Sequence, residues 1–245
     1  MSELPNSLED AIAQAGAAIQ AALADGQTKL QVELLFPELK LMPLAEQFLP
    51  FFQEYGDKLK VFFADAGAAG LARRDWADIE FKIEDIGTGR GSSAASKIQP
   101  EDEIFLFITP TSVEVNQLEK LCEIIDPRPL VILNPRLEDS GVVGIGYAAR
   151  QTRDRFISTI ESIYYLRPIF DEAAVMRSYP GLWEIWQAKD GEYEKIAELP
   201  RKPSGDEIDA ILASQRQTTT SDSEQPANKP SVFRGLQRFI RALRN

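Results

Sequence analysis

Short apolar runs that alternate with helix-like segments constrain the fold of this chain more than any other feature. Strands that are apolar on both faces and alternate with helices are typical of a parallel sheet covered on both sides. The runs are KLQVELLFPE (29–38), KLKVFFAD (58–65), EFKIEDIG (80–87), EIFLFITP (103–110) and PLVILNP (129–135). We therefore predict an α/β fold with a mostly parallel sheet of about five strands and helices on both faces.

Helical patterns fill most of the intervals between these runs. Ser7 is a typical N-cap residue for an alanine-rich helix that extends to about Ala24. Further helices are predicted at 43–56, 66–77, 112–125 and 151–166. Pro50 should kink or interrupt the first of these, because proline removes a backbone donor inside a helix.

The later part of the chain changes character. LWEIWQAKDGEYEKIAEL (182–199) alternates on each side of Asp190-Gly191, which predicts an antiparallel hairpin that extends the sheet or packs on its edge. A short helix at 204–213 completes a single α/β domain over residues 1–213. Residues 214–231 contain almost no apolar side chains, and this composition predicts a flexible linker.

The chain closes with SVFRGLQRFIRALRN (231–245), which we call the basic segment. Its apolar residues recur at helical spacing, so we predict a basic amphipathic helix over 232–245. The residues expected to contact a membrane or a partner are Phe233, Arg234, Leu236, Arg238, Phe239, Ile240, Arg241, Leu243 and Arg244. A helix of this length is marginal alone in water, so it should form on contact.

The charge distribution limits the kinds of partner that the basic segment can bind. The chain has a net charge of −11, but residues from Lys229 onward carry five cations and no acid. The rest therefore has 22 basic against 38 acidic residues, a net charge of −16. Nucleic acid is not expected as a partner, because the acidic part repels phosphate. An anionic membrane surface, a groove on a partner protein or on the chain's own acidic surface, and a helix that only aids solubility remain open.

The absence of histidine restricts the chemistry of the chain. It contains no histidine and one cysteine, Cys122, which lies at helical spacing with apolar residues and is expected in the core. Serine–histidine triads, cysteine–histidine pairs, histidine zinc sites and cysteine metal clusters are excluded. We predict no catalytic residue, no metal and no cofactor, and a non-enzymatic role is favoured. No apolar run approaches the roughly 20 residues of a membrane span, and no targeting peptide is expected.

One glycine-rich loop is a candidate phosphate site. In GTGRGSSAASK (87–97), backbone amides around Gly87, Gly89 and Gly91 can form a nest for an anion, with Lys97 close by. The loop matches neither the P-loop pattern nor the dinucleotide-binding glycine pattern. The competing interpretation is a surface loop that joins two strands.

Polar residues at the ends of the predicted strands form a second candidate. Glu38, Asp65, Asn134 and Arg136 each follow a strand. The carboxyl ends of parallel strands share one edge, where α/β proteins bind ligands, so these residues could together grip a polar ligand. The competing interpretation is local: Asp65 caps a helix and Asn134 begins a turn.

Five stretches occur in this order over roughly residues 8–213: VFFADAGAAGLARRDW, EIFLFITP, PLVILNPRL, RDRFISTIESIYYLRPI and SYPGLWEIW. Together they resemble a domain-of-unknown-function family of cyanobacteria and chloroplasts. The family includes the plant protein named for low photosystem II accumulation. The resemblance implies a Rossmann-like fold, photosystem subunits or assembly proteins as partners, and a role in photosystem assembly or maintenance. It implies no catalytic residues.

Two functional hypotheses follow. The first is a non-enzymatic photosystem assembly, maintenance or interaction factor, cytoplasmic and peripheral at the thylakoid membrane, held there or on a partner by the basic segment. The alternative is a nucleotide- or phosphometabolite-binding enzyme or sensor that uses the crevice at the strand ends.

Overall fold

The structure is a computed structural model that describes residues 3–37, 39–76, 79–87, 94–138, 147–169, 173–189 and 192–219. Its helices are α1 (Leu8–Ala24), α2 (Leu41–Phe48), α3 (Ala66–Asp75), α4 (Val115–Ile125), α5 (Tyr147–Arg155) and α6 (Gly205–Thr219). Its strands are β1 (Lys29–Leu34), β2 (Leu59–Phe63), β3 (Lys82–Asp85), β4 (Ile104–Ile108), β5 (Leu130–Leu133), β6 (Glu161–Ile169), β7 (Ala173–Ser178), β8 (Trp183–Lys189) and β9 (Glu192–Leu199). Short 3₁₀ segments span Leu49–Lys58, Ala94–Lys97 and Ile157–Thr159.

The strands of the described residues form one nine-stranded sheet in the order β3-β2-β4-β5-β1-β6-β7-β8-β9. All pairs from β3 to β6 are parallel. From β6 to β9 every pair is antiparallel. The mixed α/β class, the mostly parallel N-terminal part and the antiparallel C-terminal hairpin are confirmed. The sheet is larger than predicted because β6 and β7 join the predicted parallel strands to the hairpin.

The predicted helix over 151–166 is wrong. Helix α5 ends at Arg155, and β6 begins at Glu161 between β1 and β7. Residues 162–166 of this strand are all buried. A short apolar run of this kind fits a buried helix or a buried strand equally well by periodicity. Its aromatic and branched side chains favour a strand, and parallel pairing with β1 decides the outcome.

Local signals at the start of the chain are confirmed. The Ser7 Oγ accepts a hydrogen bond from the Asp10 N–H at 3.0 Å, which caps α1. The helix that contains Pro50 is interrupted: α2 ends at Phe48, and the chain continues as a 3₁₀ segment to Lys58. Gly56 in this segment has a φ of 49°, a conformation that glycine adopts without a side-chain clash.

Helices cover both faces of the sheet. On one face α1, α2 and α3 pack against the largest core cluster, which includes Ile19, Phe48 and Ala72. On the other face, α4 and the residues that follow α5 pack around Phe62 and Phe107, whose rings stack at 4.8 Å. Helix α6 covers the antiparallel end of this second face, through a cluster of Ile208, Tyr165, Val175, Trp183 and Ile185. The carboxyl ends of the parallel strands therefore meet between two helical layers.

The C-terminal part agrees with the predicted hairpin. Lys189 of β8 pairs with Glu192 of β9, and the turn residues Asp190 and Gly191 lie outside the described residues. Helix α6 continues past the predicted end at residue 213 to Thr219. The rest of the predicted linker and the whole basic segment lie outside the described residues, so the predicted division into domain, linker and terminal helix stays a prediction.

Candidate functional site

The carboxyl ends of β3, β2, β4 and β5 define one edge of the sheet, which we call the carboxyl edge. It comprises Gly87, Asp65, Thr109 and Asn134 with their immediate neighbours. Glu38, Gly89 and Gly91, also predicted at this edge, lie outside the described residues. Adjacent strands are about 4.8 Å apart, so Gly87 and Asn134 are separated by about 14 Å along the edge.

The carboxyl edge contains a topological switch point between β2 and β4. The chain leaves β2 through α3, which packs on the face covered by α1. It leaves β4 through α4, which packs on the opposite face. Ligands in open α/β sheets bind in the crevice that such a divergence creates. Asp65 and Thr109 flank this crevice, because each follows one of the two strands.

Asp65 is the N-cap of α3. Its Oδ1 accepts a hydrogen bond from the Ala68 N–H at 2.9 Å, and its backbone is extended. A carboxylate at this position satisfies an otherwise unpaired amide and interacts favourably with the helix dipole. The local capping interpretation of Asp65 is the one that the geometry supports.

Asn134 is a buried clamp between two strands. Its Nδ2 donates to the Leu34 carbonyl at 3.1 Å, and its Oδ1 accepts from the Leu34 N–H at 2.7 Å. Its backbone has a φ of 47°, a region that asparagine tolerates better than most residues. The side chain therefore extends the pairing of β5 with β1 beyond the last strand residues, and its amide is fully engaged with the backbone.

Thr109, at the end of β4, is a residue that the sequence reading did not single out. Its φ is 51°, a genuine outlier for a β-branched residue. Its Oγ1 is buried and has no hydrogen-bond partner among the described residues. Strained backbone and unpaired buried polar atoms tend to occur at functional sites. Among the described residues, Thr109 is thus the residue at the switch point whose buried polar atom has no hydrogen-bond partner.

Arg136 follows β5 and pairs with the residues that come directly after Thr109. Its backbone N–H donates to the Pro110 carbonyl at 2.8 Å and continues the β4–β5 pairing by a bridge to Thr111. Its side chain is exposed. Of the predicted ligand residues, Arg136 therefore presents a charged group at the surface of the carboxyl edge.

Lys97 and Gly87 are placed by β3 at the far end of the carboxyl edge. The Lys97 Nζ donates to the Asp85 carbonyl at 2.8 Å and to Asp85 Oδ1 at 2.7 Å. The hydrogen bond from Lys97 holds the pKa of the Asp85 carboxyl below its usual value. Gly87, two residues beyond the end of β3, has a φ of 70°, a conformation that glycine adopts without a side-chain clash. Lys97 thus neutralises the Asp85 carboxylate on the edge strand β3. This local contact is what we expect if residues 87–97 are a surface loop.

A groove lies at the opposite end of the strands, near the start of β2 and β3. It has a volume of about 540 Å³ and is bounded by the 3₁₀ segment that follows α2 and by the residues that precede β3. Its lining includes six apolar residues and two carboxylates: Leu49, Pro50, Phe52, Leu59, Ile79, Phe81, Glu46 and Glu80. We call it the acidic groove.

One comparison with known proteins decides the family. The model of the family described as "Domain of unknown function (DUF1995)" matches residues 5–210, which is most of the chain. The chain belongs to this family. The matched residues include every described strand and all helices up to the middle of α6. The DUF1995 domain therefore contains the carboxyl edge and the acidic groove.

The DUF1995 domain also contains a buried polar cluster that the sequence reading missed. Glu33 on β1 is 8% exposed, and its Oε2 accepts hydrogen bonds from Gln31 Nε2 at 3.1 Å and Ser162 Oγ at 3.2 Å. Lys202 approaches Glu33 Oε1 at 3.4 Å and lies 4.2 Å from the centroid of the Tyr165 ring. Ser162 belongs to β6, so the incorrect helix prediction hid this cluster. The only sequence signal is a carboxylate within an apolar run.

This cluster connects strands β1 and β6 to the chain that precedes α6. Burial and the nearby Glu33 carboxylate raise the pKa of Tyr165, so the phenol stays protonated at neutral pH. The Lys202 ammonium sits between the carboxylate and the aromatic face, an arrangement that stabilises a cation in both ways. Because Lys202 lies three residues before the start of α6 at Gly205, these contacts help to position that helix on the sheet.

A second buried pair lies at the amino ends of the strands. Lys60 on β2 and Asp102 before β4 are 2% and 1% exposed at their side chains, with the Lys60 Nζ 2.7 Å from Asp102 Oδ2. The Gln99 N–H donates to the same oxygen at 2.7 Å, and Lys60 also donates to the Lys97 carbonyl. Asp102 Oδ1 has no partner among the described residues. The pair joins β2, β4 and the preceding loop.

The remaining tests of chemistry concern cysteine, metals and membrane spans. Burial raises the pKa of the Cys122 thiol to about 12, as expected for a core residue. Among the described residues, no group of three or more histidine, cysteine or acidic side chains is placed to hold a metal ion. In the same part of the chain, no helix has the length and apolar character needed to cross a membrane.

Proposed function

We propose that this chain is a non-enzymatic interaction factor in photosystem assembly or maintenance. One observation carries the non-enzymatic part: the polar groups of Asp65, Asn134 and Lys97 are hydrogen-bonded to the domain's own backbone. A ligand that used these polar atoms would compete with the contacts they already make inside the domain. A folded domain with an acidic surface is better suited to bind another macromolecule.

The photosystem role rests on the resemblance to the family that includes the plant low-photosystem-II-accumulation protein. Three of its motifs fall on the parallel part of the sheet: VFFADAGAAGLARRDW spans β2 and α3, EIFLFITP covers β4, and PLVILNPRL covers β5. Parallel strands β3 to β6 with helices on both faces also support a Rossmann-like description, which is part of the proposal. The partners in this proposal are photosystem subunits or assembly proteins.

The basic segment supplies the attachment in this proposal. Its four arginines contribute about 1 kcal/mol each near an anionic bilayer, and its inserted apolar side chains add to that. A cytoplasmic domain tethered in this way would stay at the thylakoid surface, where assembly partners are concentrated. Attachment to a partner protein through the same residues is the other form of the proposal.

Affinity capture from detergent-solubilised thylakoid membranes tests the proposal. The bait is the full chain, compared with the full chain carrying Arg234→Gln, Arg238→Gln, Arg241→Gln and Arg244→Gln. We expect mass spectrometry to find photosystem subunits or assembly proteins with the first bait and a reduced yield with the second. Recovery of no photosystem-related protein by either bait would contradict the role.

Vesicle flotation separates membrane attachment from partner attachment. We expect the unmodified chain to bind vesicles that contain anionic lipid and to be released as the salt concentration rises, because counter-ions screen exposed charges. The four-glutamine variant should bind at background level. Equal flotation of the two chains would exclude the basic segment as the membrane contact.

Thr109 favours a second candidate, a nucleotide- or phosphometabolite-binding enzyme or sensor. Its buried Oγ1 lacks a partner among the described residues, and it sits at the switch point between β2 and β4. A thermal-shift series with nucleotides and sugar phosphates at millimolar concentration tests this candidate, because a ligand of the native state must raise the melting temperature. An increase that disappears in Thr109→Val would support it. Unchanged melting temperatures across the series would exclude these compounds.

A further inference from the structure

The acidic groove combines apolar walls with carboxylates that have no cationic partner among the described residues. Leu49, Pro50, Ile79 and Phe81 supply its accessible apolar surface; Phe52 and Leu59 also line it but are buried. Its volume of about 540 Å³ lies in the range of sites that bury several side chains of a ligand. Such a groove suits an occupant with apolar anchors rather than a small polar molecule.

The two carboxylates give the groove its charge. Glu46 projects from α2 and Glu80 precedes β3, and both residues are exposed. Neither has an ion-pair partner among the residues that the structure describes, and no lysine or arginine is among the described residues that line the groove. Free carboxylates beside apolar walls recognise an amphipathic cation.

We propose that the acidic groove binds the chain's own basic segment as a helix. The segment has the complementary chemistry: Phe233, Leu236 and Ile240 recur at the spacing of anchors in helix-in-groove recognition. Arg238 lies between the last two anchors and Arg241 directly follows the last, and both carry the charge that Glu46 and Glu80 attract. The same segment is too short to be a stable helix alone, so the groove would supply the apolar contact that it lacks.

The chain between α6 and the basic segment is long enough for this contact. Helix α6 covers β6 to β8, and β2 lies five strands from β7 in the sheet order. That separation is about 24 Å along the sheet. Because α6 and the 3₁₀ segment lie on opposite faces of the sheet, it is also about 20 Å across the sheet, and the direct distance is about 31 Å. Residues 220–231 reach about 40 Å when extended. A tether of this length also gives an effective concentration in the millimolar range, so a weak contact suffices.

Docking in the groove would hide the apolar residues that a membrane or a partner needs. The acidic groove would then compete with those targets for the basic segment and reduce attachment when they are scarce. The inference concerns a contact within the chain, and it stands whether or not the proposed photosystem role is correct.

Hydrogen exchange on the full chain tests the contact. We expect amides of residues 232–244 to exchange about tenfold more slowly in the unmodified chain than in Glu46→Lys/Glu80→Lys, because the charge reversal releases the segment. The variant Glu123→Lys/Glu192→Lys changes two other exposed acids and the net charge equally, and it should retain the slow exchange. Equally fast exchange in the unmodified chain and in Glu46→Lys/Glu80→Lys would overturn the proposal.

Variants within the basic segment are a control for misfolding caused by the groove substitutions. Arg238→Glu/Arg241→Glu should release the segment without touching the described residues. Combining it with Glu46→Lys/Glu80→Lys restores opposite charges and should recover the slow exchange. If the combined variant exchanges as fast as the two separate ones, electrostatic pairing between groove and segment is excluded.

Photo-cross-linking locates the contact and identifies its source. A benzoylphenylalanine in place of Phe239, in the full chain, should form cross-links to residues 49–56 or 79–81 within a single chain. Cross-links that join two chains would show a second copy as the occupant and overturn the intramolecular proposal. Cross-links only to other surfaces would overturn the assignment of the groove.

Discussion

At the scale of single residues, two side chains define how the parallel strands end. Thr109 and Asn134 follow neighbouring strands, and both have a left-handed backbone conformation. Asn134 compensates for this conformation through its two hydrogen bonds to Leu34. Thr109 has no such compensation for its Oγ1 among the described residues. The left-handed conformation of Asn134 therefore has a structural role. The Oγ1 of Thr109, in contrast, is available to hydrogen-bond a ligand.

Substitution of Asn134 measures the clamp. Asn134→Gly keeps the left-handed backbone but removes both side-chain hydrogen bonds, and we expect a loss of about 2 kcal/mol in the free energy of unfolding. Asn134→Ala should lose about 1 kcal/mol more, since a left-handed conformation is unfavourable for alanine. Urea unfolding checks both values. A glycine variant as stable as the unmodified chain would show that the hydrogen bonds to Leu34 contribute nothing.

The buried Lys60–Asp102 pair makes a second prediction at this scale. Lys60→Met should lower the free energy of unfolding by about 3–5 kcal/mol, because it leaves a buried carboxylate without a counter-charge. The double variant Lys60→Met/Asp102→Asn removes the charge that was left unpaired. We expect it to be more stable than Lys60→Met alone, as measured by urea unfolding. A double variant with the full sum of the two single losses would indicate that the pair is not coupled.

At the scale of elements, close packing and capping fix the helices on the sheet. Gly16 of α1 faces Phe51 of the 3₁₀ segment so closely that an added Cβ would lie 2.2 Å from the ring. Helix α6 combines the apolar contacts of Ile208 with polar contacts at its first turn. Ser204 Oγ accepts from the Glu207 N–H, and Glu207 accepts from the Ser204 N–H, which together form a capping box.

Two glycine substitutions separate packing from helix propensity. Gly70 of α3 has open space at its Cβ position, so Gly70→Ala should stabilise the domain by about 0.5–1 kcal/mol. Gly16→Ala gains the same propensity but displaces the Phe51 ring, and we expect a net loss of about 1 kcal/mol. Thermal unfolding compares the two. The Gly16→Ala loss should shrink in a Phe51→Leu background, and an unchanged loss would contradict the packing explanation.

The lowered pKa of Glu207 predicts that the free energy of unfolding depends on pH. Hydrogen bonds from Arg201, followed by the Ser204 backbone, lower the pKa of Glu207 from 4.5 to about 2. The folded state therefore binds this proton more weakly than the unfolded state. The stabilisation is complete above the ordinary value of 4.5 and is lost as the pH falls towards about 2.

Glu207→Gln tests this dependence, because glutamine retains the capping geometry without the charge. At about pH 6 its urea midpoint should lie below that of the unmodified chain, and at about pH 3 the difference should be smaller. Salt should reduce the difference at the higher pH, since Glu207 is exposed. A difference that is constant over this range would show that the charge has no role.

At the scale of the whole molecule, one sheet joins two kinds of β-structure. Strand β6 pairs with β1 in parallel and with β7 in antiparallel orientation. The largest core cluster extends from Trp76 near β3 to Trp186 on β8. Glu33 and Lys202 connect the parallel strands to the chain before α6. These connections predict that the two ends of the sheet unfold together.

Tryptophan fluorescence tests this cooperativity. Trp76→Phe leaves Trp183 and Trp186 as reporters of the antiparallel end, whereas Trp183→Phe/Trp186→Phe leaves Trp76 as the reporter of the parallel end. Within each variant, we expect the fluorescence and circular dichroism transitions in urea to coincide. Separate midpoints for the two signals within either variant would indicate two independently unfolding parts.

The sequence predicts the features of this domain that depend on neighbouring residues. Strands β1 to β5 follow from apolar runs, the Ser7 cap from local hydrogen bonding, and the β8–β9 hairpin from alternation around a turn. Strand β6 could not be assigned in this way, because its run is apolar without a decisive period. The hydrogen-bond partners of Asn134 were equally hidden, since Leu34 lies 100 residues away along the chain.

The sequence by itself determined the α/β class, the hairpin, the lack of histidine chemistry and the contrast between an acidic domain and a basic segment. These properties come from composition and from periodicity within single elements. Only the tertiary structure decided the strand order, the place of β6, the Glu33–Lys202 contact and the acidic groove. Each of these depends on which distant segments become neighbours, and pairing and burial over the whole chain set that choice.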